Sequence, residues 1–325
     1  MTLPDAPREI SARGPLPFGR YRTPIETPAI GRGWNALRRK EWHYVSVSNH
    51  RVFLAFGVVQ LRYVANAFLY LVDKRQPSVA HEYAMLSPLG RALEFAPSSV
   101  HGRTRWRHRD AEIDIGWRAR GGWDVRLDVP LTRGPLQGSF RIEAADALAL
   151  LFDLGGGRPA YTHKAAGLRA TGSVRFGDEA IDLAESCAVS DWTRSLAART
   201  TRWKWASFAG ESGGALLGLN LSAEVYDKDG ASQENALWID GQVETLGGVR
   251  FEVPRTPGVD DWRIRSVDDD AVDLTFRPLG ARAQHLDLKV LRSDFVQPYG
   301  RFHGRVRERT IDGIFGVVED HLSVW

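Results

Sequence analysis

With a single cysteine, Cys187, in 325 residues, the chain cannot form an internal disulfide, and its stability has to come from the buried core that such a length allows. A lone thiol with no basic neighbour in sequence reads as a buried structural group rather than a nucleophile. Long apolar runs are missing too. The longest, Val52 to Val59, is followed closely by Gln60, Arg62 and Asn66 and falls far short of the roughly 20 residues of a spanning helix. No stable membrane insertion is expected. Near the N-terminus, Asp5, Glu9 and the prolines Pro4, Pro7, Pro15 and Pro17 stand where a secretory leader needs apolar residues, which predicts a cytoplasmic protein. P-loop, H-E-x-x-H and C-x-x-C motifs do not occur. Gly155-Gly-Gly157 is no phosphate loop, because Pro159 stops any helix behind it and the G-x-G-x-x-G order is missing; it reads as a linker. His303 and His321 lack close ligand spacing, and Glu319 with His321 supplies only two ligands. Neither a metal nor a cofactor is expected.

Lysine is scarce, 6 residues against 37 arginines, and the formal net charge is only +3. That charge is unevenly spread. Up to residue 170 there are 25 Lys and Arg against 15 Asp and Glu, and beyond it 18 against 25, giving about +10 and −7. The opposed halves are expected to attract one another. A basic first half also raises the question of nucleic acid. Its densest piece, Arg103-Thr-Arg-Trp-Arg-His-Arg109, puts four arginines on one face of a strand and Thr104, Trp106 and His108 on the other, which is a solvated face over a packed one. No nucleic-acid partner is expected.

Period-two patterning dominates what is there. Pro4, Pro7, Pro15, Pro17, Pro24 and Pro28 mark residues 1–30 as an extended arm. Tyr44 to Val47, Val52 to Val59 and Tyr63 to Val72 follow as strands, the middle one apolar on both faces. Asp110 to Ala119 and Trp123 to Val129 alternate around Gly121-Gly122, and Trp262 to Ser266 and Val272 to Phe276 flank the turn Asp268-Asp-Asp270. Only Ala144 to Leu151 and Thr193 to Thr200 have helix-favouring composition. The pattern predicts an all-β chain of two tandem antiparallel β-barrels packed together, with few short helices. The expected division is 31–165 and 166–325, somewhere between Gly155 and Gly172.

The chemistry-bearing residues cluster after residue 160. Asp191, Glu234 and Glu319 are the candidate general acids, since burial among aromatic walls raises a carboxyl group's pKa. Trp203 and Trp205, two apart, share a strand face and suit either a cavity wall or a core. Tyr161, His163, Trp192, Asn220, Asn235, Gln297, His303 and His321 complete the candidate ligand-binding set. Each has a structural alternative: a capped turn, a satisfied core histidine, an arginine partner.

Taken in order, Tyr161-Thr-His-Lys164, Asp191-Trp192, Trp203-Lys-Trp205-Ala206, Gly218-Leu-Asn220, Glu234-Asn235-Ala-Leu-Trp238, Asp240-Gly241, Gln297-Pro-Tyr-Gly300 and Gly316 to His321 resemble the family named domain of unknown function 2804. Trp34-Asn-Ala-Leu-Arg-Arg-Lys-Glu-Trp42-His-Tyr44 and Asp73-Lys-Arg resemble its earlier motifs, so the resemblance covers residues 15–325. It implies a tandem lipocalin-like fold of the calycin group, distantly related to carotenoid hydratases and two-barrel cyclases. The adjacent His-Asp pair associated with the hydratases is absent. The resemblance points to a protein that binds a lipophilic small molecule, such as a lipid, isoprenoid or polyketide-like compound, in a β-barrel cavity or between the two barrels. The alternatives are a hydratase, isomerase or cyclase acting by general acid catalysis, and a structural or interaction module without a ligand. Homo-oligomerisation is left open.

Overall fold

A computed structural model describes residues 3–10, 15–31, 33–287 and 292–324. The side chain of Trp34, which opens the first family-like motif, lies outside the described residues. Among the described residues the chain is all-β, with one short 3-10 helix at Gly33–Arg38 and no α-helix. Alternation decides the strands. In Trp123–Leu131, Val125, Leu127 and Val129 point inward while Asp124, Arg126 and Asp128 point out, and the Gly121-Gly122 turn pairs this strand with Ala111–Trp117. Arg103–His108 buries Thr104 and Trp106 and sends its arginines outward, where Arg103 and Arg105 meet Asp114 and Glu112 on the next strand.

The strands form two large sheets. The first has 14 strands and runs from Ala80–Pro88 through Val64–Asp73, Val52–Gln60, Lys40–Ser48, Ser186–Ser195, Pro159–Phe176 and Gly134–Ile142 to Arg103–His108 and Leu93–Glu94. It curls until its ends nearly meet, where Trp106 Nε1 donates to Tyr83 OH at 3.1 Å. Leu54, Phe56, Ile113, Trp123 and Phe140 fill its interior. The second sheet has nine strands, centred on Thr200–Ser212, Arg309–Val324 and Arg292–Val306, and curls as a half-barrel around Leu219, Trp262, Phe276 and Phe302. The chain leaves the first sheet at Ser195 and enters the second at Thr200. The expected division at 165 falls within Pro159–Phe176, which pairs with Ser186–Ser195 along most of its length.

Two expectations are corrected. Gly155-Gly-Gly157 is a hairpin turn joining Leu148–Asp153 to Pro159–Phe176, since glycine supplies the backbone the turn needs. Leu148–Asp153 is a strand because it is paired on both sides, by Pro159–Phe176 and by Gly19–Tyr21 of the N-terminal arm; Thr193 to Ser195 likewise belong to a central strand. Tertiary pairing overrides a weak helical propensity there. The sheets meet through aromatic and aliphatic side chains and also, as the opposed halves suggest, through the ion pairs Arg169–Glu211 at 2.6 Å and Lys164–Glu234 at 3.3 Å. Phe53 packs on Phe315 at 5.0 Å, Tyr70 on Tyr299 at 6.0 Å and Tyr44 on Trp205 at 5.2 Å. Val52–Gln60 is apolar on both faces for this reason: one face fills the first sheet and the other carries the second.

Away from that aromatic contact, the sheets cross backbone to backbone. At Gly167, a bulge with φ of +66° interrupts the register of Pro159–Phe176 against Ser186–Ser195, and the chain there touches Gly218 of Ala215–Ala223. A Cβ on Gly218 would lie 2.2 Å from the carbonyl carbon of Ala166 and 2.3 Å from the nitrogen of Gly167. Gly218→Ala is therefore expected to cost on the order of 3 kcal/mol, as severe overpacking does, because backbone has to move. Gly247→Ala, whose Cβ would meet only Asp269 Oδ2 at 3.4 Å, should cost far less. Urea unfolding of both variants checks this, and equal midpoints would contradict it.

Candidate functional site

Beside the crossing, the sheets part to leave a cavity of about 380 Å³, within the range of small-molecule sites. It lies between the sheets. Of the two places expected for such a space, a barrel interior or the gap between the barrels, it occupies the second, while side chains fill the interior of the first sheet. Trp42, Tyr44 and Phe68 line the cavity from the first sheet, and Trp203, Trp205 and Phe295 from the second. Trp42 and Trp203 stack at 6.4 Å with ring planes 11° apart.

Two buried polar clusters are set into these walls. In the first, Lys164 and Asp191 face each other in register on neighbouring strands, and Lys164 Nζ lies 2.6 Å from Asp191 Oδ2 and 3.3 Å from Glu234 Oε1. Glu234 reaches in from the second sheet's side. Its backbone carbonyl accepts from Asn220 Nδ2 at 2.8 Å, and its Oε2 lies 3.3 Å from Ser222 Oγ. Burial pulls the Lys164 ammonium down, but Asp191 and Glu234 outweigh it and hold Lys164 above its usual range. Burial also pushes the Glu234 carboxyl up to about 7, against the pull of Lys164 and with the help of the Asp191 charge. One cation cannot fully compensate two buried carboxylates, so Glu234 takes up and releases its proton near neutrality.

In the second cluster Glu319 is saturated with donors. Its Oε1 accepts from Trp203 Nε1 at 2.9 Å and lies 3.0 Å from His321 Nδ1, while Oε2 accepts from Gln297 Nε2 at 2.6 Å. Gln297 Oε1 in turn accepts from Tyr70 OH at 2.8 Å. His321 Nε2 sits 3.0 Å from Ser293 Oγ and 2.8 Å from Ser323 Oγ. Burial raises the Glu319 carboxyl, but His321, Gln297 and Trp203 prevail and hold it below the ordinary range. The cavity thus pairs a proton-holding carboxyl, Glu234, with an ionised one, Glu319, that orients an imidazole. Environments that push two carboxyl groups apart in this way separate an acid from a base.

Of the residues singled out from the sequence, Asp191, Glu234, Glu319, Trp203, Trp205, Gln297 and His321 line the cavity. The others lie elsewhere. Tyr161, His163 and Trp192 point to the opposite face of their strands, because Lys164 and Asp191 occupy the cavity face and successive side chains alternate. Tyr161 OH accepts from the arm at Ile25 N, 2.9 Å away, and Trp192 packs against Phe95 under that arm. His163 lies beside Trp123, and burial lowers it to about 4, so it is a neutral core histidine. Asn220 is a bracket, accepting from Trp205 Nε1 at 2.8 Å while holding Glu234. Asn235 ties Ser222 N to Gly247 O. His303 lies beyond a register shift at Phe302/His303, partly exposed, 3.3 Å from Asp312.

Lys164 and Arg282 line the cavity without having been singled out from the sequence. Lys164 had a signal, a lone cation inside an otherwise buried stretch, which demands a buried counter-ion. Arg282 had none, being one of 37 arginines. Gly210-Glu-Ser212-Gly-Gly214 has the spacing of a nucleophile elbow, but it lies at the turn of a β-hairpin rather than between strand and helix, and Ser212 Oγ donates to Thr310 O. Burial raises the Cys187 thiol. Among the described residues no group of three or more His, Cys, Asp and Glu is placed to hold a metal ion, and no helix is long and apolar enough to cross a membrane.

Comparison with known proteins gives a family and a fold. The profile described as Domain of unknown function (DUF2804) matches residues 10–325. A crystal structure of CghA with Sch210972 aligns at a TM-score of 0.55 with 14% identity, covering 99% of this chain and 97% of that one. A putative AttH (NE1406) from Nitrosomonas europaea aligns at 0.50 with 14% identity, over 87% and 92%. Kievitone hydratase from Nectria haematococca aligns at 0.46 with 12% identity, over 100% and 98%. No curated protein matches in sequence.

The raised Glu234 carboxyl has a consequence for stability. A group that binds its proton more tightly when folded loses stabilisation as pH rises from its unfolded value, 4.5, to its folded one, about 7. Across that window Glu234→Gln should gain on the parent protein by about 1.4 kcal/mol per pH unit at most. Denaturant unfolding between pH 4 and pH 8 measures this; parallel profiles would show that Glu234 is not held protonated.

Proposed function

The chain belongs to the family described as Domain of unknown function (DUF2804), and from that premise we propose that it binds a lipophilic small molecule in the cavity between its two sheets. The observation that carries this reading is the cavity itself, walled by Trp42, Trp203, Trp205, Tyr44, Phe68 and Phe295, with two buried polar clusters set into those walls. Apolar walls with a few placed polar groups are the usual composition of such sites. The solved complex of CghA with Sch210972 supports the reading by analogy of fold.

A second reading, proton-transfer catalysis of the hydratase, isomerase or cyclase type, is favoured by one observation: Glu234 holds a proton near neutrality while Glu319 orients His321 toward Ser293 and Ser323. In this reading Glu234 delivers its proton to an alkene or enol carbon of the bound molecule. The cationic character that develops faces the indoles, whose ring faces attract it. His321, held by Glu319, removes a proton from the neighbouring carbon or from an attacking water.

Two outcomes follow. A panel of isoprenoid and long-chain alcohols should change the tryptophan fluorescence saturably, and Trp42→Ala and Trp203→Ala should each weaken binding by roughly tenfold, as loss of a central aromatic contact does. No saturable change, with no ligand mass retained in native mass spectrometry, would contradict the binding reading. For any bound alkene, incubation in D2O should place deuterium on carbon with the parent protein and not with Glu234→Gln. Equal incorporation by both would remove Glu234 from the chemistry.

A further inference from the structure

One buried cation lining the cavity, Arg282, belongs to neither polar cluster. Arg282 stands on Val272–Asp287 opposite Gln297, and its side chain is 5% exposed. Its guanidinium is clamped between rings from the two sheets, 4.4 Å from the centroid of Phe68 and 4.7 Å from that of Phe295. Both rings line the cavity, as do Asn66 and Gln284. Stacking fixes the plane of the guanidinium but leaves its N–H donors free to bond. No hydrogen bond from Arg282 is made among the described residues, and its Nε is buried without a partner.

Neither nearby carboxylate supplies what is missing. Glu82 Oε2 is 3.9 Å from Arg282 Nε, too long for a hydrogen bond, and the Glu82 side chain is 40% exposed to water. Glu319 is occupied at both oxygens by Trp203, His321 and Gln297. A buried guanidinium with unmet donors is costly, and its planar fork matches a carboxylate in shape and charge. We infer that Arg282 anchors a carboxylate on the ligand, which makes the ligand class an amphiphile with an apolar body and one carboxylate head. This rests on the ligand-binding reading above and specifies its substrate class. The body lies along Trp42, Trp203 and Trp205, and the head enters the Phe68–Phe295 clamp.

Laurate and 1-dodecanol, equal in chain length and different only in the head, separate this inference from the reading beneath it. Binding is followed by tryptophan fluorescence at pH 7.5 with the full chain. Laurate should bind the parent protein roughly tenfold or more tighter than dodecanol, the scale of one charge-assisted hydrogen-bonded pair. Arg282→Met should bring the two to parity. Should that variant not fold, Glu82→Gln, which leaves Arg282 in place and removes its distant competitor, should tighten laurate and leave dodecanol unchanged. Equal affinities in the parent protein, a laurate preference that survives Arg282→Met, or no response of laurate to Glu82→Gln overturns the inference while the ligand-binding reading stands. Binding of neither probe overturns both.

Discussion

The backbone crossing of Gly167 over Gly218 is the constraint on which the site depends. Only glycine at both positions lets the two chains approach this closely, and the approach fixes how the sheets sit on each other. Three residues before Gly167 is Lys164, and two residues after Gly218 is Asn220, whose amide holds the Glu234 carbonyl. The crossing therefore sets the distance between a cation on one sheet and a carboxyl carried by the other. The aromatic contact through Phe53, Tyr70, Phe315 and Tyr299 closes the interface elsewhere. Between the two contacts the sheets stand apart, and the cavity is that separation.

Burial then divides the labour of the carboxyl groups. Asp191 and Glu234 share one ammonium, so their combined charge is not met and the Glu234 carboxyl is raised to about 7. Glu319 receives three donors and stays ionised. Both outcomes come from the number of donors the walls supply, not from residue type. The same accounting leaves Arg282 as the cation without a hydrogen-bonded partner. A pocket with an acid, an oriented imidazole and an open guanidinium has more polar function than a passive container for an apolar molecule needs.

Much of this was legible in the sequence. Alternation and paired glycines located the Ala111–Trp117 and Trp123–Leu131 hairpin, and the both-faces apolar run Val52 to Val59 announced a strand covered on two sides. Asp191, Glu234, Glu319, Trp203 and Trp205 were recognisable as buried polar or aromatic groups at strand spacing. What one chain's sequence does not encode locally is which face of a strand looks into the cavity. In Tyr161-Thr-His-Lys164 the eye goes to His163, yet the parity of the strand sends Lys164 into the cavity and His163 into the barrel core. Net charge of the two halves was a partial guide to their contact: Arg169 and Lys164 meet Glu211 and Glu234 across the sheets, but an aromatic cluster also fills the interface, and the strands from 166 to 195 belong to the first sheet rather than the second. Arg282 was invisible for a similar reason. Its significance is the lack of a hydrogen-bonded partner among the described residues, and that is a property of three-dimensional packing.

The central claim is that the ligand site lies between the sheets rather than within either one. A crystal structure of the protein soaked with a bromine-tipped long-chain alcohol tests it most directly, since the anomalous signal of bromine locates the apolar tail. A peak is expected between the Trp42–Trp203 pair and the Phe68–Phe295 clamp. A peak among Leu54, Trp106 and Trp123 inside the first sheet, or peaks only on the outer surface, would contradict it.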